Sequence, residues 1–484
     1  MTMTAGTRLP DFTVLTEPQL SFHPLDPAKR SIHPLRGLLE HGPYTAAIPG
    51  AVRDVIRLAA MGPAGEGENM VRLIQEMRRP LDPDERLAYL PSWPGFTDVF
   101  KAGLQFAAKD VSVQLPAGLD DAIAASPVPH RVLLSALADG IRRAAAQRAG
   151  FDVLVIYLPL RWQAAFRDRD EDFDLHHALK GITASLGIPS QIVLEDTATT
   201  KPHRCSVAWT LGTALYAKAG GVPWKLAAAE PRTAYIGVSY ALRPGPAGHP
   251  RFVTCCSQIF DAEGSGLEFV AYETSEDRVA IRGRNPFLDR EQMRAVMARS
   301  LTLYLDRHCG QPPRRVVVHK STPFRDAETD GCFDALSSAG EVELIQVIDD
   351  TPWRGVQLGP PKGGTTARRA VPTNYPCRRG TMVHLGGYDT LLWTQGDAPD
   401  VAYAGSYFKE GVGIPRPLLL RRWAGRGPAG PMAGEILALT KMNWNNDALY
   451  DTLPTTLRYA QTLAQVIKTM PSLQPKPYSY RLFI

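Results

Sequence analysis

Residues 233–242 read Thr233-Ala234-Tyr235-Ile236-Gly237-Val238-Ser239-Tyr240-Ala241-Leu242. β-Branched and aromatic residues fill this run, and a Gly/Pro-rich turn follows it, so it is a strand. Arg251–Phe260 and Glu268–Glu273 read as two more strands. An amphipathic helix comes next, with Met293, Val296, Met297, Leu301 and Tyr304 on one face. Asp289 and Gln292 have capping-box spacing at its start, and Gly310 ends it. Arg315–His319 is a buried-type strand; a helix over Asp326–Ser337 and a strand over Val342–Ile348 follow. Three antiparallel strands, helix, strand, helix, strand is the order of a ribonuclease-H-like core.

The preceding stretch has a different rhythm. A helix over Arg131–Ala149, a strand over Phe151–Leu158 and a helix from an Asp174 cap to Gly187 are followed by a strand over Gln191–Leu194. A helix over Cys205–Lys218 stops at Gly220-Gly221. This alternation predicts a small, mainly parallel α/β unit. The first hundred residues read as irregular, with helices around Ala51–Met61 and Asn69–Met77. The expected fold class is therefore α/β, a Rossmann-like unit over residues 1–228 followed by a ribonuclease-H-like unit over 229–484.

Composition sets the outer limits. The chain has 484 residues, enough for two or three domains. Its 54 lysines and arginines against 49 acids leave a net charge of +5, too mild to demand a nucleic-acid partner by itself. Glycine and proline, 41 each, make it loop-rich, while 44% hydrophobic residues exclude bulk disorder. No apolar run reaches membrane-spanning length, and the opening Met1–Phe12 lacks the pattern of a leader. The six cysteines form no CxxC pair and no zinc-ligand spacing, which reads as free thiols in the cytoplasm.

A ribonuclease-H-like nuclease holds two divalent ions on clustered carboxylates. The strand Tyr235-Ile236-Gly237-Val238-Ser239-Tyr240 carries no acid, and the later strand ends Val316-Val317-Val318-His319-Lys320-Ser321, again without one. An ammonium at a ligand position repels a metal. This register predicts no two-metal cleavage. The alternative is that the strands are displaced and the acids lie elsewhere, at Glu268 or Asp289.

Several segments together resemble the short prokaryotic Argonautes, the MID–PIWI type without a PAZ domain. They are His33-Pro34-Leu35-Arg36-Gly37-Leu38-Leu39-Glu40-His41-Gly42-Pro43-Tyr44, Ala219-Gly220-Gly221-Val222-Pro223-Trp224, Val318-His319-Lys320, Lys441-Met442-Asn443-Trp444-Asn445 and Leu457-Arg458-Tyr459-Ala460-Gln461. Their order runs from residue 33 to the last. The resemblance implies a Rossmann-like MID domain, then a ribonuclease-H-like PIWI domain. It implies that His176, Lys180, Gln191 and Lys218 hold the 5′-phosphate of a guide RNA. His176 and Lys180 are i,i+4 neighbours on one helical face, and two ammonium groups can neutralise a phosphate. Without the resemblance, Lys180 and Lys218 read as solvated surface charges and His176 as a surface histidine.

The resemblance further implies Mg2+ at the guide 5′-phosphate, with Gln191 and the terminal carboxylate of Ile484 as ligands. It places the former catalytic positions at Ser239, Lys320 and Gln461 and leaves the tetrad glutamate unplaced, so the chain is expected not to be an enzyme. The implied partners are 5′-phosphorylated guide RNA, complementary single-stranded target DNA and an APAZ-domain effector protein with a sirtuin-like, TIR or nuclease domain. That assembly would act in antiviral defence, oligomerising on target binding and depleting NAD or destroying DNA. An active guide-directed nuclease and an unrelated α/β protein are the competing readings.

Three other features are less specific. Residues 359–365, Gly-Pro-Pro-Lys-Gly-Gly-Thr, lack phosphate-loop spacing and read as a loop. Asp168-Arg169-Asp170-Glu171-Asp172 reads as a solvated turn. Arg368-Arg369, Arg378-Arg379, Arg416, Arg421-Arg422 and Arg426 are candidates for duplex phosphate contacts.

Overall fold

A computed structural model describes the chain except for residues 1–10, 228–231, 245–249, 260–267, 275–279, 283–284, 360–370, 404–407, 409–412, 446–448, 471–472 and 474–476. The boundary expected at 228/229, most of the glycine-rich 359–365 segment and Arg368-Arg369 lie outside the described residues.

In chain order, β1 (Phe12–Val14) and α1 (Pro34–His41) lead into β2 (Val55–Gly62), α2 (Gly67–Met77) and β3 (Gly103–Phe106). Then come α3 (Pro129–Ala146), β4 (Val153–Leu158), α4 (Leu175–Ser185), β5 (Ser190–Leu194) and α5 (Arg204–Lys218). A five-stranded sheet runs β5–β4–β2–β3, with the short strand Val113–Gln114 also on β2, and every pairing is parallel.

The helix expected over Ala51–Met61 is instead β2, in the middle of this sheet. Its alanines, leucine and methionine favour helix locally, but the strand is covered on both faces. Ile56 and Leu58 enter one core cluster, and Ala59 and Met61 the other. A doubly covered strand reads as a continuous apolar run, and alternation is lost. α2 does form where the second early helix was expected.

The second half begins with β6 (Thr233–Pro244), β7 (Pro250–Ile259) and β8 (Glu268–Thr274). It continues with α6 (Arg290–Arg307), β9 (Arg315–Lys320), α7 (Asp326–Ala335) and β10 (Glu341–Ile348). β11 (Thr381–Gly386), β12 (Asp389–Leu392), β13 (Leu418–Ala424), α8 (Ala429–Leu439), α9 (Thr455–Ile467) and β14 (Tyr478–Ser479) complete it. A ten-stranded sheet runs β1–β11–β12–β13–β10–β9–β6–β7–β8–β14. β6, β9 and β10 are parallel, and the other neighbours are antiparallel. Both arms of the Asp289–Gln292 capping box are present at α6.

Segments far apart in sequence meet where the two sheets adjoin. Tyr44 N donates to Pro223 O at 2.9 Å, and Thr45 Oγ1 lies 2.9 Å from Tyr216 OH. Trp224 Nε1 donates to Lys441 O at 3.0 Å. Lys441 Nζ reaches Pro18 O at 2.8 Å, Ile32 O at 2.7 Å and Glu17 Oε1 at 2.5 Å. One core cluster contains Tyr157 and Leu215 from the first half with Tyr235, Leu457 and Ile484 from the second. Among the described residues no helix is long and apolar enough to cross a membrane. Cys205, Cys309, Cys332 and Cys377 are free thiols.

Candidate anion site and former catalytic positions

Asp174 caps α4, its carboxylate accepting from His177 N at 3.2 Å. This fixes the first turn; His176 there is exposed, and Lys180, one turn on along the same face, is buried. The Lys180 side chain spans to the start of β5, where Nζ donates to Ser190 O at 2.7 Å. A second bond of 2.7 Å runs to the main-chain oxygen of Ile484. Lys218, in the last turn of α5, donates to Gln191 Oε1 at 2.5 Å, and Gln191 Nε2 donates to Ile192 O at 2.8 Å. The fold therefore gathers Lys180, Gln191, Lys218 and Ile484 into one connected group, with His176 at its edge.

The surface-charge reading of the two lysines is excluded. Lys180 is 2% exposed and Lys218 1%. Among the described residues no acidic side chain forms an ion pair with either, and the oxygens they touch belong to neutral groups or to Ile484. Burial lowers the Lys180 pKa to about 7. Lys218 falls well below the ordinary lysine value, through burial and then through the charge of Lys180. His176 is exposed, yet the partial desolvation of its ring in the cleft and then the Lys180 charge hold its pKa down. A site in this state is short of negative charge.

A cleft of about 760 Å³ runs along the free edge of β5. Gln191, Ile192 and Leu194 of β5, His176 of α4 and Ser206 and Thr210 of α5 line it. Arg167, Lys201 and His203 also line it, and sequence reasoning did not single them out. His203 has φ 61°, a left-handed conformation uncommon for a residue with a side chain, but no sequence signal marks it. Lys180 and Lys218 are buried and do not line the cleft, whereas Gln191 both lines it and bonds Lys218.

Ligand atoms of Asp174, His176 and His177 come within 4.8 Å of one another. Asp174 already accepts from His177 N and pairs with Arg167 at 3.1 Å. The helix N-terminus and the two lysines make the surroundings positive, which disfavours a cation there.

Of the three positions expected to be former catalytic ones, Lys320 lies on the opposite face of the sheet from Ser239. β6 pairs with β9 through Gly237↔His319 and Val238↔Lys320. Lys320 thus lies on the face of Val238, Val316 and Val318, whereas Ser239 alternates with it onto the face of Tyr235 and Ala241. His319 is the β9 residue on that second face, with Nδ1 2.9 Å from Thr456 Oγ1 of α9. Gln461 sits half-buried on the same helix.

Lys320 is instead enclosed. Its Nζ donates to Glu328 Oε1 at 2.5 Å, and both side chains are fully buried. The rings of Tyr240, Phe287 and Phe324 surround the ammonium at 5.1–5.4 Å. Glu328 also accepts from Tyr240 OH and from the main-chain N–H of Leu288 and Arg325. The alternative acids do not gather near Ser239: Glu268 pairs with Arg307, and Asp289 caps α6.

The arginines divide. Arg379 is 4% exposed, which corrects its candidacy for phosphate contact. It pairs with Glu17 at 3.1 Å, donates to Leu437 O and Thr440 Oγ1, and stacks on Tyr450. Arg416, Arg421 and Arg422 pair with Asp350, Asp389 and Glu343 respectively. Arg378 and Arg426 are exposed. In the acidic turn, Glu171 and Asp168 face His130, at 3.2 and 3.4 Å.

No family model and no curated protein matches the sequence. Solved structures do match the fold. Clostridium butyricum Argonaute, bound to a guide DNA with a 5′ deoxycytidine and a 19-mer target DNA, superposes with TM-score 0.64 at 16% identity. The match covers 98% of this chain and 55% of that one. Drosophila Piwi gives TM-score 0.61 at 14% identity, covering 97% and 56%. The chain therefore has an Argonaute- and Piwi-like fold and spans about half the length of these structures.

Proposed function

We propose that this chain is the nucleic-acid-targeting subunit of a defence system. The parallel-sheet half is a Rossmann-like MID unit that holds the 5′-phosphate of a short guide RNA. The second half is a ribonuclease-H-like PIWI unit that holds the guide paired with single-stranded target DNA. Base pairing selects the target, while the protein reads backbone and duplex shape. The observation that carries this reading is the pair of buried lysines, Lys180 bonded to Ser190 O and Ile484 and Lys218 bonded to the adjacent Gln191, with no acidic side chain paired to either among the described residues.

The chain does not cut its target in this reading. Support comes from the acid-free strand around Ser239 and from Lys320, held in a buried pair on the opposite face. An APAZ-domain partner with a sirtuin-like, TIR or nuclease effector would supply the response.

The test is direct binding of one RNA sequence with either a 5′-phosphate or a 5′-hydroxyl. Lys180→Ala with Lys218→Ala should weaken the phosphorylated RNA on the order of tenfold to a hundredfold and leave the hydroxyl form nearly unchanged. Equal losses for both would sink the pocket assignment. Cleavage of matched target DNA in magnesium would instead favour the nuclease reading.

A further inference from the structure

We infer that this chain anchors a terminal phosphate without a divalent ion, Lys180 and Lys218 standing where the metal would. The inference rests on the guide-binding reading for its ligand. Magnesium demands hard oxygen donors at short, near-octahedral distances. The donors expected to provide them are Gln191 and Ile484. Gln191 Oε1 accepts from Lys218 Nζ at 2.5 Å, and the Ile484 oxygen accepts from Lys180 Nζ at 2.7 Å. Gln191 Oε1 and one oxygen of Ile484 therefore each already accept from a lysine.

Charge points the same way. Wherever Lys180 and Lys218 hold their protons, a dication beside them meets repulsion that little solvent screens. Lys180 also bonds Ser190 O and Lys218 bonds the Gln191 amide, both neutral acceptors, so the carboxylate expected at Ile484 offsets one of the two lysines at most. Asp174 does not change this balance: it is occupied as the α4 cap and by Arg167. A phosphate monoester, with close to two negative charges, supplies what these residues lack. Each lysine has three donors, so both can turn to a phosphate oxygen while keeping part of their present contacts. Gln191, which lines the cleft and bonds Lys218, must swing aside for the phosphate to enter.

The experiment uses the unmodified full chain. Anisotropy titrations compare 5′-phosphorylated and 5′-hydroxyl RNA at fixed ionic strength, first in excess EDTA and then in excess magnesium. The expected preference for phosphate is about tenfold or more, and it changes by less than about twofold between the two conditions. Inorganic phosphate, titrated in EDTA, should erode that preference. A preference lost in EDTA and restored by magnesium would overturn the inference and leave guide binding standing. No preference in either condition would overturn both. Lys218→Met should lose the preference in EDTA and in magnesium alike; a variant that keeps it in magnesium would also overturn the inference.

Discussion

Lys180 Nζ lies 2.7 Å from the main-chain oxygen of Ile484, 304 residues further along the chain. The contact joins α4 of the parallel-sheet half to the end of the other half. Thr469 Oγ1 adds a bond to His177 O at 3.0 Å, and Gly181 allows the close approach, because a Cβ there would sit 2.8 Å from Thr469 Oγ1. The candidate anion site thus draws residues from both halves of the molecule.

His33 gives acid sensitivity. Its Nε2 donates to Tyr89 O at 2.8 Å, its Nδ1 accepts from Arg36 N at 3.2 Å, and burial holds its pKa down to about 3. The unfolded ring takes a proton near 6.5, but the folded ring does not. Its stabilising share is complete above pH 6.5 and is lost as pH falls toward 3, at about 1.4 kcal/mol per pH unit. His33→Asn, which can still cap α1, should flatten the decline in urea-unfolding free energy between pH 6.5 and 5. An unchanged slope would reject this role.

The Lys320–Glu328 pair should be costly to break from one side. Glu328→Ala leaves a buried ammonium alone and should lower stability by about 3–5 kcal/mol. Removing both charges with Lys320→Met and Glu328→Gln should restore a large part of that. Chemical denaturation of the three chains decides; equal losses for the single and double variants would show that the pair is not coupled.

The arginines separate stability from binding. Arg379→Met should destabilise the fold by several kcal/mol, on the order of the cost of breaking a buried pair. Arg378→Ala and Arg426→Ala should leave the melting temperature unchanged. If these two touch duplex phosphates, each substitution should reduce the salt slope of nucleic-acid binding by about one. A salt slope that both variants leave intact would remove them from the interface.

Elements with local signals were legible in the sequence. The Asp174 cap and the Asp289–Gln292 box mark their helices, and the strands of the second half alternate with clear turns. β2 was not legible, because two core faces erase its alternation. The four phosphate-binding candidates were named from the family resemblance, but the burial of Lys180 and Lys218 was not legible, since an isolated lysine carries no sign of the chain that will cover it. Ser239 and Lys320 show how strictly a strand's period of two acts: strand pairing puts Lys320 opposite Val238, and Ser239 falls on the other face. Arg379 and Arg378 are neighbours in sequence, yet only the fold assigns one to Glu17 and the other to solvent.

Lys441 closes on Pro18, 423 residues earlier, and on Glu17 beside it. At a ribosomal rate of about 5–20 residues per second, the opening segment waits roughly 20–80 seconds for that lysine to be made. During translation the Glu17 carboxylate stays in water and β1 has no β11 to join. The parallel-sheet half can collapse in this interval, so the first-made residues are among the last to find their place, and a chain stalled before Lys441 presents a loose leading strand to the cell.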